Sequence, residues 1–144
     1  MEVRSKVYTY HTEVIWTEQR KGVISCASKP DIQVATPPEF KGHEGIWSPE
    51  DVFVASANSC LMTTFQAVAE RAGLVFTSYE NVAEGRLELV DGKLQFTEIT
   101  LMPAIPLSAN ADAAKAKELI EKSEANCLIS NSMEVRVSLV PNIR

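Results

Sequence analysis

The chain has 144 residues, of which 45% are apolar and 23% charged, so it has the composition of a soluble globular domain and needs no disulfide bonds to bury a core. Its formal net charge of −5 argues against nucleic acid or an anionic membrane surface as a partner, because both attract basic patches. The amino terminus has no apolar stretch of signal-peptide length, so we expect a cytoplasmic protein whose thiols are reduced.

The segment at residues 1–36 predicts a meander of strands. Alternating apolar and polar residues as far as Trp16 indicate a half-buried first strand, and a polar turn follows at residues 17–22. A second strand is expected at residues 23–26 and a short third strand at residues 32–36. The pattern favours a meander over a crossover arrangement.

A long helix is predicted after a loop at residues 37–45. The run at residues 48–51, Ser-Pro-Glu-Asp, supplies an N-cap hydroxyl, a proline suited to the first helical position and two carboxylates that the helix dipole stabilises. We expect the helix to end at residues 71–72, with Gly73 as its stop. Residues 52–69 are uncharged, but a third of them are polar, which favours a helix enclosed by protein on nearly every side over a membrane span.

A β-hairpin is predicted after this helix. Strand-like segments at residues 81–90 and 93–102 flank an Asp-Gly pair, which is the strongest short-range signal for a tight hairpin turn. Proline lacks the N–H that a central strand donates, so Pro103 and Pro106 are expected to end the ladder.

A second helix and a last strand complete the predicted fold. Ser108 or Asn110 is expected to open the helix, which ends near residues 125–127, and residues 133–140 alternate with the period of a strand. The sequence therefore predicts a single α+β domain over residues 1–144, with two antiparallel groups of strands around a long buried central helix.

Three cysteines and two histidines are the candidates for metal binding or thiol chemistry. They are Cys26, Cys60, Cys127, His11 and His43. Their spacings include no Cys-x-x-Cys pair, so neither a zinc site nor a disulfide framework is expected. Reactive or buried thiols remain, and Cys26, in a predicted strand, is interpreted as a core thiol.

Cys60 lies in the middle of the long predicted helix among small residues, so another backbone can approach it closely. It is too far from the helix N-terminus for the dipole to lower its pKa, so a nucleophilic Cys60 needs a cation from elsewhere. Glu50 precedes it by ten positions, which is about 15 Å along a straight helix. Either the helix is interrupted between the two residues, or a second copy of the chain supplies one of them.

Three stretches resemble the OsmC/Ohr family, the osmotically inducible protein C and organic hydroperoxide resistance proteins. Residues 34–42 read Val-Ala-Thr-Pro-Pro-Glu-Phe-Lys-Gly, and residues 47–60 run from Trp-Ser-Pro-Glu through an alanine-rich segment to Cys60. Cys127 opens Cys-Leu-Ile-Ser-Asn, which is similar to the family's second cysteine motif, with Leu128 where proline is usual. The resemblance covers essentially the whole chain and implies an OsmC-like fold.

The resemblance also implies a thiol peroxidase that detoxifies organic and inorganic hydroperoxides. Cys60 would attack the peroxide O–O bond and become a sulfenic acid, and Cys127 would condense with it to form an intramolecular disulfide. Arg20 would hold the thiolate and stabilise the departing oxygen, while Glu50 would orient the guanidinium. An external dithiol, such as dihydrolipoamide or a lipoylated protein, would then reduce the disulfide, and no metal, haem or flavin is implied.

The family resemblance implies an intertwined homodimer with its site at the subunit interface. In such a dimer the partner's Glu50 would reach Cys60, which answers the problem of the 15 Å separation estimated roughly from helix geometry. Trp47, Phe53 and Met62 are candidates for an apolar pocket that holds an organic hydroperoxide. The competing interpretation of these three residues is core packing.

Two functions remain open at this point. The first is a hydroperoxide reductase, which needs Cys60, Cys127 and an arginine within reach. The second is a relative that keeps the fold and the thiols but serves as a thiol redox sensor or small-molecule-binding protein without efficient peroxidase turnover. Loss of the arginine contact or a blocked pocket would favour the second function.

Overall fold

The computed structural model describes residues 6–144. They divide into two compact units, the first ending at Val52 and the second running from Phe53 to Arg144. The elements are β1 (Glu13–Glu18), β2 (Lys21–Ser25), β3 (Ile32–Ala35), a 3-10 turn (Pro38–Phe40), α1 (Pro49–Ala72), β4 (Glu80–Val90), β5 (Lys93–Ile105), α2 (Ala113–Ala125), α3 (Leu128–Asn131), β6 (Arg136–Leu139) and β7 (Asn142–Ile143).

The first unit contains the predicted meander, in which β1, β2 and β3 pair in order and antiparallel. The first strand differs from its prediction, because it begins only at Glu13 and is exposed rather than half-buried. Val14, Ile15 and Trp16 are 68%, 62% and 72% exposed. Because consecutive residues of a strand point to opposite faces, both faces of β1 are exposed. The sequence pattern indicated the strand, but burial on either face needs a covering element that β1 does not have in the single chain.

The loop after β3 folds back on its own backbone. The N–H of Gly42 donates to the carbonyl of Pro37 at 3.0 Å, and the N–H of His43 donates to that of Thr36 at 2.9 Å. A Cβ built on Gly42 would lie 1.6 Å from the Thr36 carbonyl oxygen, so only glycine fits at this close approach. These contacts fix the 3-10 turn that ends at Phe40.

The long helix α1 has the bounds that the sequence predicted. The Ser48 hydroxyl accepts from the N–H of Asp51 at 3.1 Å, and the Asp51 carboxylate accepts from the N–H of Ser48 at 2.9 Å, which is a capping box. Gly73, with a φ of +70°, follows the last helical residue.

The environment of α1 differs from its prediction. Its length and apolar composition would allow it to cross a membrane, but the core helix of a soluble protein can have the same length and composition. It buries one stripe of side chains at every fourth position, and only 28% of its most apolar stretch is buried. The helix is therefore enclosed along one side in the single chain, and not on nearly every side. The buried residues are Ala57, Leu61, Phe65 and Ala69.

The second unit is built on a mixed sheet, which corrects the prediction of two antiparallel groups. β4 and β5 form the predicted antiparallel hairpin, and Asp91 and Gly92 take positive φ values of 50° and 79° at its turn. β6 and β7, however, pair with β5 in parallel. The helical segment between β5 and β6 makes the crossover that a parallel pair requires.

Pro103 lies inside β5 rather than at its end, which is a second correction. The N–H of Met102 points towards β4, where it donates to the Asn81 side chain at 3.0 Å. Successive residues of a strand point in alternate directions, so the nitrogen of Pro103 points away from β4, towards the side where β6 and β7 pair with β5. On that side the pairing with β6 ends at Leu101 and the pairing with β7 begins at Ala104. The missing N–H therefore falls in a gap between two ladders.

The core of the second unit lies between the sheet and the buried stripe of α1. Its second helix is capped by Asp112, whose carboxylate accepts from the N–H groups of Ala114 and Lys115, and not by Ser108 or Asn110 as predicted. The buried core residues are Ala57, Leu61, Phe65, Ala69, Ile99, Leu101, Ile105, Leu119 and Ile120.

Candidate functional site

Cys60 occupies the middle of α1 and is half-buried. Its Sγ lies 3.8 Å from the Thr64 hydroxyl, one helical turn further along. The side chain is close enough to the surface of the chain to meet a small molecule, and it is far from either end of the helix dipole. The predicted position is confirmed, and its reactivity depends on what surrounds it.

Cys127 is completely buried at the junction of α2 and α3. Its N–H donates to the carbonyl of Glu124 at 3.2 Å, and its carbonyl accepts from the N–H of Asn131 at 2.9 Å. The backbone on both sides is thus held, which fixes the direction of the side chain. A thiol at this place has little contact with solvent.

The structure brings the thiols of Cys60 and Cys127 together. Burial raises the pKa of Cys127, and the neighbouring Cys60 thiol raises it further, while the hydroxyl and backbone of Ser130 lower it. Both cysteines are free thiols. The pair comes from distant parts of the sequence, and its assembly is the main geometric feature of this site.

Two further residues accompany Cys127: Glu124, which the sequence did not single out, and Ser130, which belongs to the Cys-Leu-Ile-Ser-Asn stretch. Glu124 lies in the last turn of α2, and burial raises the pKa of its carboxyl. Ser130, in α3, is 8% exposed, and its hydroxyl lowers the pKa of both Glu124 and Cys127, so it faces both groups. Glu124 lies three residues before Cys127 and Ser130 three residues after it, and this spacing was the sequence feature that could have indicated both as neighbours of the thiol.

Tyr79 lies on another side of Cys127. Burial is the main cause that raises its pKa to about 12, with smaller contributions from Cys127 and Glu124. The side chain of Asn81 donates to its hydroxyl at 3.2 Å. Tyr79 therefore remains a neutral phenol beside the thiol pair at any physiological pH.

A cavity of about 270 Å³ lies along α1 and is lined by Ala55, Asn58, Ser59, Met62, Tyr79 and Asn81, with Cys60 outside its lining. Of the three residues predicted for a substrate pocket, only Met62 lines this cavity. Phe53 instead stacks on Phe96 with ring centroids 4.8 Å apart, at the edge of the core. Trp47 belongs to the first unit, where it is 55% exposed.

Arg20 lies in the turn between β1 and β2 and is exposed. Its guanidinium donates to the carbonyl of Phe40 at 2.7 Å, within the first unit. It also borders an open cavity of about 640 Å³, together with Trp16, Val34 and Pro49. The structure thus gives Arg20 a fixed position, with its charge open to solvent.

Glu50 lies in the first turn of α1, and its buried Oε2 has no hydrogen-bond partner within residues 6–144. The expected ion pair between Arg20 and Glu50 is not formed among the residues that the structure describes. α1 is also unbroken from Pro49 to Ala72, so the alternative of an interruption before Cys60 is wrong. A role for Glu50 at Cys60 then requires a second copy of the chain.

The other candidate thiol, Cys26, is half-buried at the end of β2, with its Sγ 3.5 Å from the carbonyl of His11. It is therefore not the core thiol that the sequence suggested. Across residues 6–144 no three His, Cys, Asp or Glu side chains are grouped to hold a metal ion.

Comparisons with known proteins connect this site to a family. A sequence model described as OsmC-like protein matches residues 42–140. An uncharacterized protein of Bacillus subtilis (strain 168), YmaD, is 26% identical over 134 residues, which are 90% of this chain and 89% of that one. The peroxiredoxin OsmC of Escherichia coli (strain K12) is 26% identical over 100 residues, or 69% of this chain and 68% of its own.

The fold also matches solved structures. An OsmC-like protein of unknown function from Vibrio cholerae superimposes with a TM-score of 0.85 at 23% identity, over 96% of this chain and all of the other. The mixed α+β arrangement, with two sheets and a long helix, is thus that of OsmC-like proteins.

Proposed function

This chain belongs to the OsmC/Ohr family, and we propose that it is a thiol-dependent hydroperoxide reductase acting through a Cys60 sulfenic acid and a Cys60–Cys127 disulfide. The single observation that carries the proposal is that the two thiols lie near enough for Cys60 to raise the pKa of Cys127, one thiol being half-buried and the other fully buried. A sulfenic acid at Cys60 would form with a second thiol already beside it.

The first step takes place at Cys60. Its thiolate attacks one oxygen of the hydroperoxide, a sulfur–oxygen bond forms as the O–O bond breaks, and the other oxygen leaves as an alcohol or water after taking a proton. Cys60 is oxidised and the hydroperoxide is reduced. The cavity along α1, with Met62 and Tyr79 in its lining, is the space proposed for the organic part of the substrate.

The second step protects Cys60. Cys127 displaces the oxygen from the sulfenic sulfur as water, and the resulting disulfide stops further oxidation to sulfinic acid. An external dithiol, such as dihydrolipoamide or a lipoylated protein of the cytoplasm, then returns both cysteines to thiols. We propose no resident metal or organic cofactor for either step.

The cation that activates Cys60 is proposed to come from a homodimer. The carboxylate of Glu50 has a buried and unpartnered oxygen in the described chain, and Arg20 presents its charge to solvent. Intertwining two copies would let the partner's Glu50 and a guanidinium meet at Cys60, where the charge would stabilise the thiolate. The apolar and exposed β1 strand supplies surface for such an association.

Serine in place of Cys127 leaves one oxidation but no catalytic cycle. The Cys127→Ser variant should consume about one equivalent of hydroperoxide per chain and then stall, because no thiol traps the sulfenic acid. Mass spectrometry of the stalled protein should find sulfinic acid on Cys60, whereas the wild type under the same peroxide gives a disulfide between Cys60 and Cys127. Sustained turnover by this variant with dihydrolipoamide would contradict the role of Cys127.

One observation favours the second candidate function, a thiol redox sensor or small-molecule binder. Arg20 donates to the Phe40 carbonyl rather than to a site carboxylate, and without a cation a Cys60 thiol would react slowly. Replacing Arg20 by alanine separates the two functions.

For the reductase, we expect the Arg20→Ala variant to lose kcat/KM for cumene hydroperoxide by about 100-fold or more, as does removal of a charge stabiliser in other enzymes. Lys21→Ala, next in the chain and also in the first unit, is the matched control and should keep its rate. An unchanged rate in Arg20→Ala assigns the cation to another residue, and slow turnover already in the wild type supports the sensor.

A further inference from the structure

To form the disulfide, Cys127 must lose its proton, and the proposed reductase cycle does not identify the group that accepts it. The side chain is completely buried, and burial raises the pKa of its thiol. The thiolate is the nucleophile in such a reaction, so the thiol must lose its proton where water has little access. A buried proton acceptor is therefore needed beside Cys127.

The residues on either side of Cys127 supply one. The Oε2 atom of Glu124 and the Oγ atom of Ser130 are both buried, and neither has a hydrogen-bond partner within the described part of the chain. Ser130 faces both Glu124 and Cys127, since its hydroxyl lowers the pKa of each. Unpartnered buried oxygens are costly, which makes such a pair a candidate for function.

The backbone holds these three residues in one short arc. The N–H of Cys127 donates to the carbonyl of Glu124, and the N–H of Asn131 donates to the carbonyl of Cys127. The end of α2 and the single turn of α3 thereby hold a carboxylate, a thiol and a hydroxyl on one short stretch of fixed backbone.

We propose that Ser130 and Glu124 form a proton relay that deprotonates Cys127 as it attacks the oxidised Cys60, a role that rests on the proposed function of the two thiols. The proton passes from Cys127 Sγ to Ser130 Oγ, and the serine proton passes to Glu124. The new sulfur–sulfur bond forms as the sulfur–oxygen bond of Cys60 breaks. The departing hydroxide takes a proton from solvent and leaves as water, and Glu124 later returns its proton to solvent.

The other titratable groups that face Cys127 do not compete for this proton. Tyr79, just before β4, has a pKa of about 12 and stays protonated, so its hydroxyl cannot accept as a phenolate. Cys60, on α1, is the sulfur under attack. Glu124 is the remaining acceptor, and burial brings its pKa closer to that of a thiol, which makes it a stronger base.

The test follows the attack of Cys127 on Cys60 without any peroxide. In a Cys26→Ser background, which removes the other half-buried thiol, dithiobis(nitrobenzoate) should react first with Cys60 and release one coloured thiolate, leaving a mixed disulfide. Cys127 then attacks the Cys60 sulfur and releases the second coloured thiolate, so the second phase of a stopped-flow trace reports this step alone.

In Glu124→Gln we expect the second phase to slow by at least about tenfold near neutral pH, with the first phase unchanged. The pH profile should also change. In the wild type the second phase falls as pH drops through the raised pKa of Glu124, because the protonated carboxyl accepts nothing. In the variant the limb set by Glu124 disappears, and the rate follows the ionisation of Cys127 alone, climbing with pH towards the raised pKa of that thiol. Glu124→Asp should recover part of the rate.

Ser130→Ala is the second variant, and it should slow the same phase. Because the Ser130 oxygen has no hydrogen-bond partner among residues 6–144 and its burial is costly, its removal is expected not to lower the melting temperature. Glu121→Gln and Ser123→Ala, an exposed acid and a buried serine on α2, are the matched controls and should behave as the wild type.

A wild-type second phase and wild-type pH profile in both relay variants would overturn the relay. Failure of the proposed function would give a different result. Hydroperoxides would then leave the thiols of the wild type unoxidised, whereas dithiobis(nitrobenzoate) would still give two phases. Loss of the acid limb in Glu124→Gln supports the relay in either case.

Discussion

Serine at position 60 should abolish hydroperoxide turnover. The Cys60→Ser variant keeps the size and hydrogen-bonding ability of the side chain, but its hydroxyl is neither appreciably ionised at neutral pH nor a nucleophile towards peroxide. We expect kcat/KM for cumene hydroperoxide, with dihydrolipoamide as reductant, to fall by about three orders of magnitude or more. The measurement is the rate of peroxide consumption under excess reductant.

Cys26 provides the control for this substitution. It is a half-buried thiol in the first unit, so Cys26→Ser removes a cysteine without touching the thiol pair. That variant should retain its rate. Undiminished turnover in Cys60→Ser would end the assignment, and equal losses in both variants would point to general thiol damage rather than a site.

The largest effect on stability is expected at Gly42. In Gly42→Ala the added Cβ would lie 1.6 Å from the Thr36 carbonyl oxygen, 2.2 Å from its carbon and 2.7 Å from the Pro37 oxygen. All three are backbone atoms, so no side chain can move aside to relieve the clash. The loop must open and lose its two backbone hydrogen bonds, and we expect a loss of about 3 kcal/mol or more in the free energy of unfolding.

Gly45→Ala is the matched control in the same loop. A Cβ at Gly45 meets no atom within 4 Å, but the φ of +76° disfavours any side chain, so we expect a loss of only about 1 kcal/mol. Urea denaturation of both variants should give this order. If Gly45→Ala proves the more damaging, the close approach at Gly42 is not what holds the loop.

The loop also links stability to the site. The carbonyl of Phe40 accepts from the Arg20 guanidinium, and Phe40 ends the turn that the Gly42 contacts hold. Opening this loop therefore releases Arg20 from its fixed position. Gly42→Ala should lower peroxidase activity even under conditions where the protein stays folded.

Local sequence signals predicted the elements whose causes are local. The capping box at Ser48, the stop at Gly73 and the hairpin turn at Asp91 each depend on residues within a few positions of one another, and the structure confirms them. The same is true of the meander in the first unit. Such features need no knowledge of the rest of the fold.

The corrected predictions all depended on distant partners. The parallel pairing of β6 follows from the crossover through α2, and Pro103 is tolerated because two ladders leave a gap beside it. The exposure of β1 likewise depends on what covers it. Periodicity reports that a face is apolar, but it does not tell which element covers that face.

The candidate site shows the same division. The resemblance to a family predicted Cys60 and Cys127, and the structure brings them together. Glu124 was missed because a glutamate near the end of a helix is usually a solvated residue, and its burial becomes visible only in three dimensions. For Phe53 the sequence left a pocket and core packing open, since an aromatic on an apolar helix face serves either, and its ring stacks on Phe96.

The unequal burial of the two sulfurs determines which of them an external dithiol would attack in the proposed reduction of the disulfide. A disulfide between them would present the sulfur of the half-buried Cys60 to the outside and keep that of Cys127 enclosed. An incoming dithiol can then attack at one end only, so the mixed disulfide with the reductant forms on Cys60 and Cys127 departs first. In the proposed cycle the inner thiol would thus be recovered before the outer one.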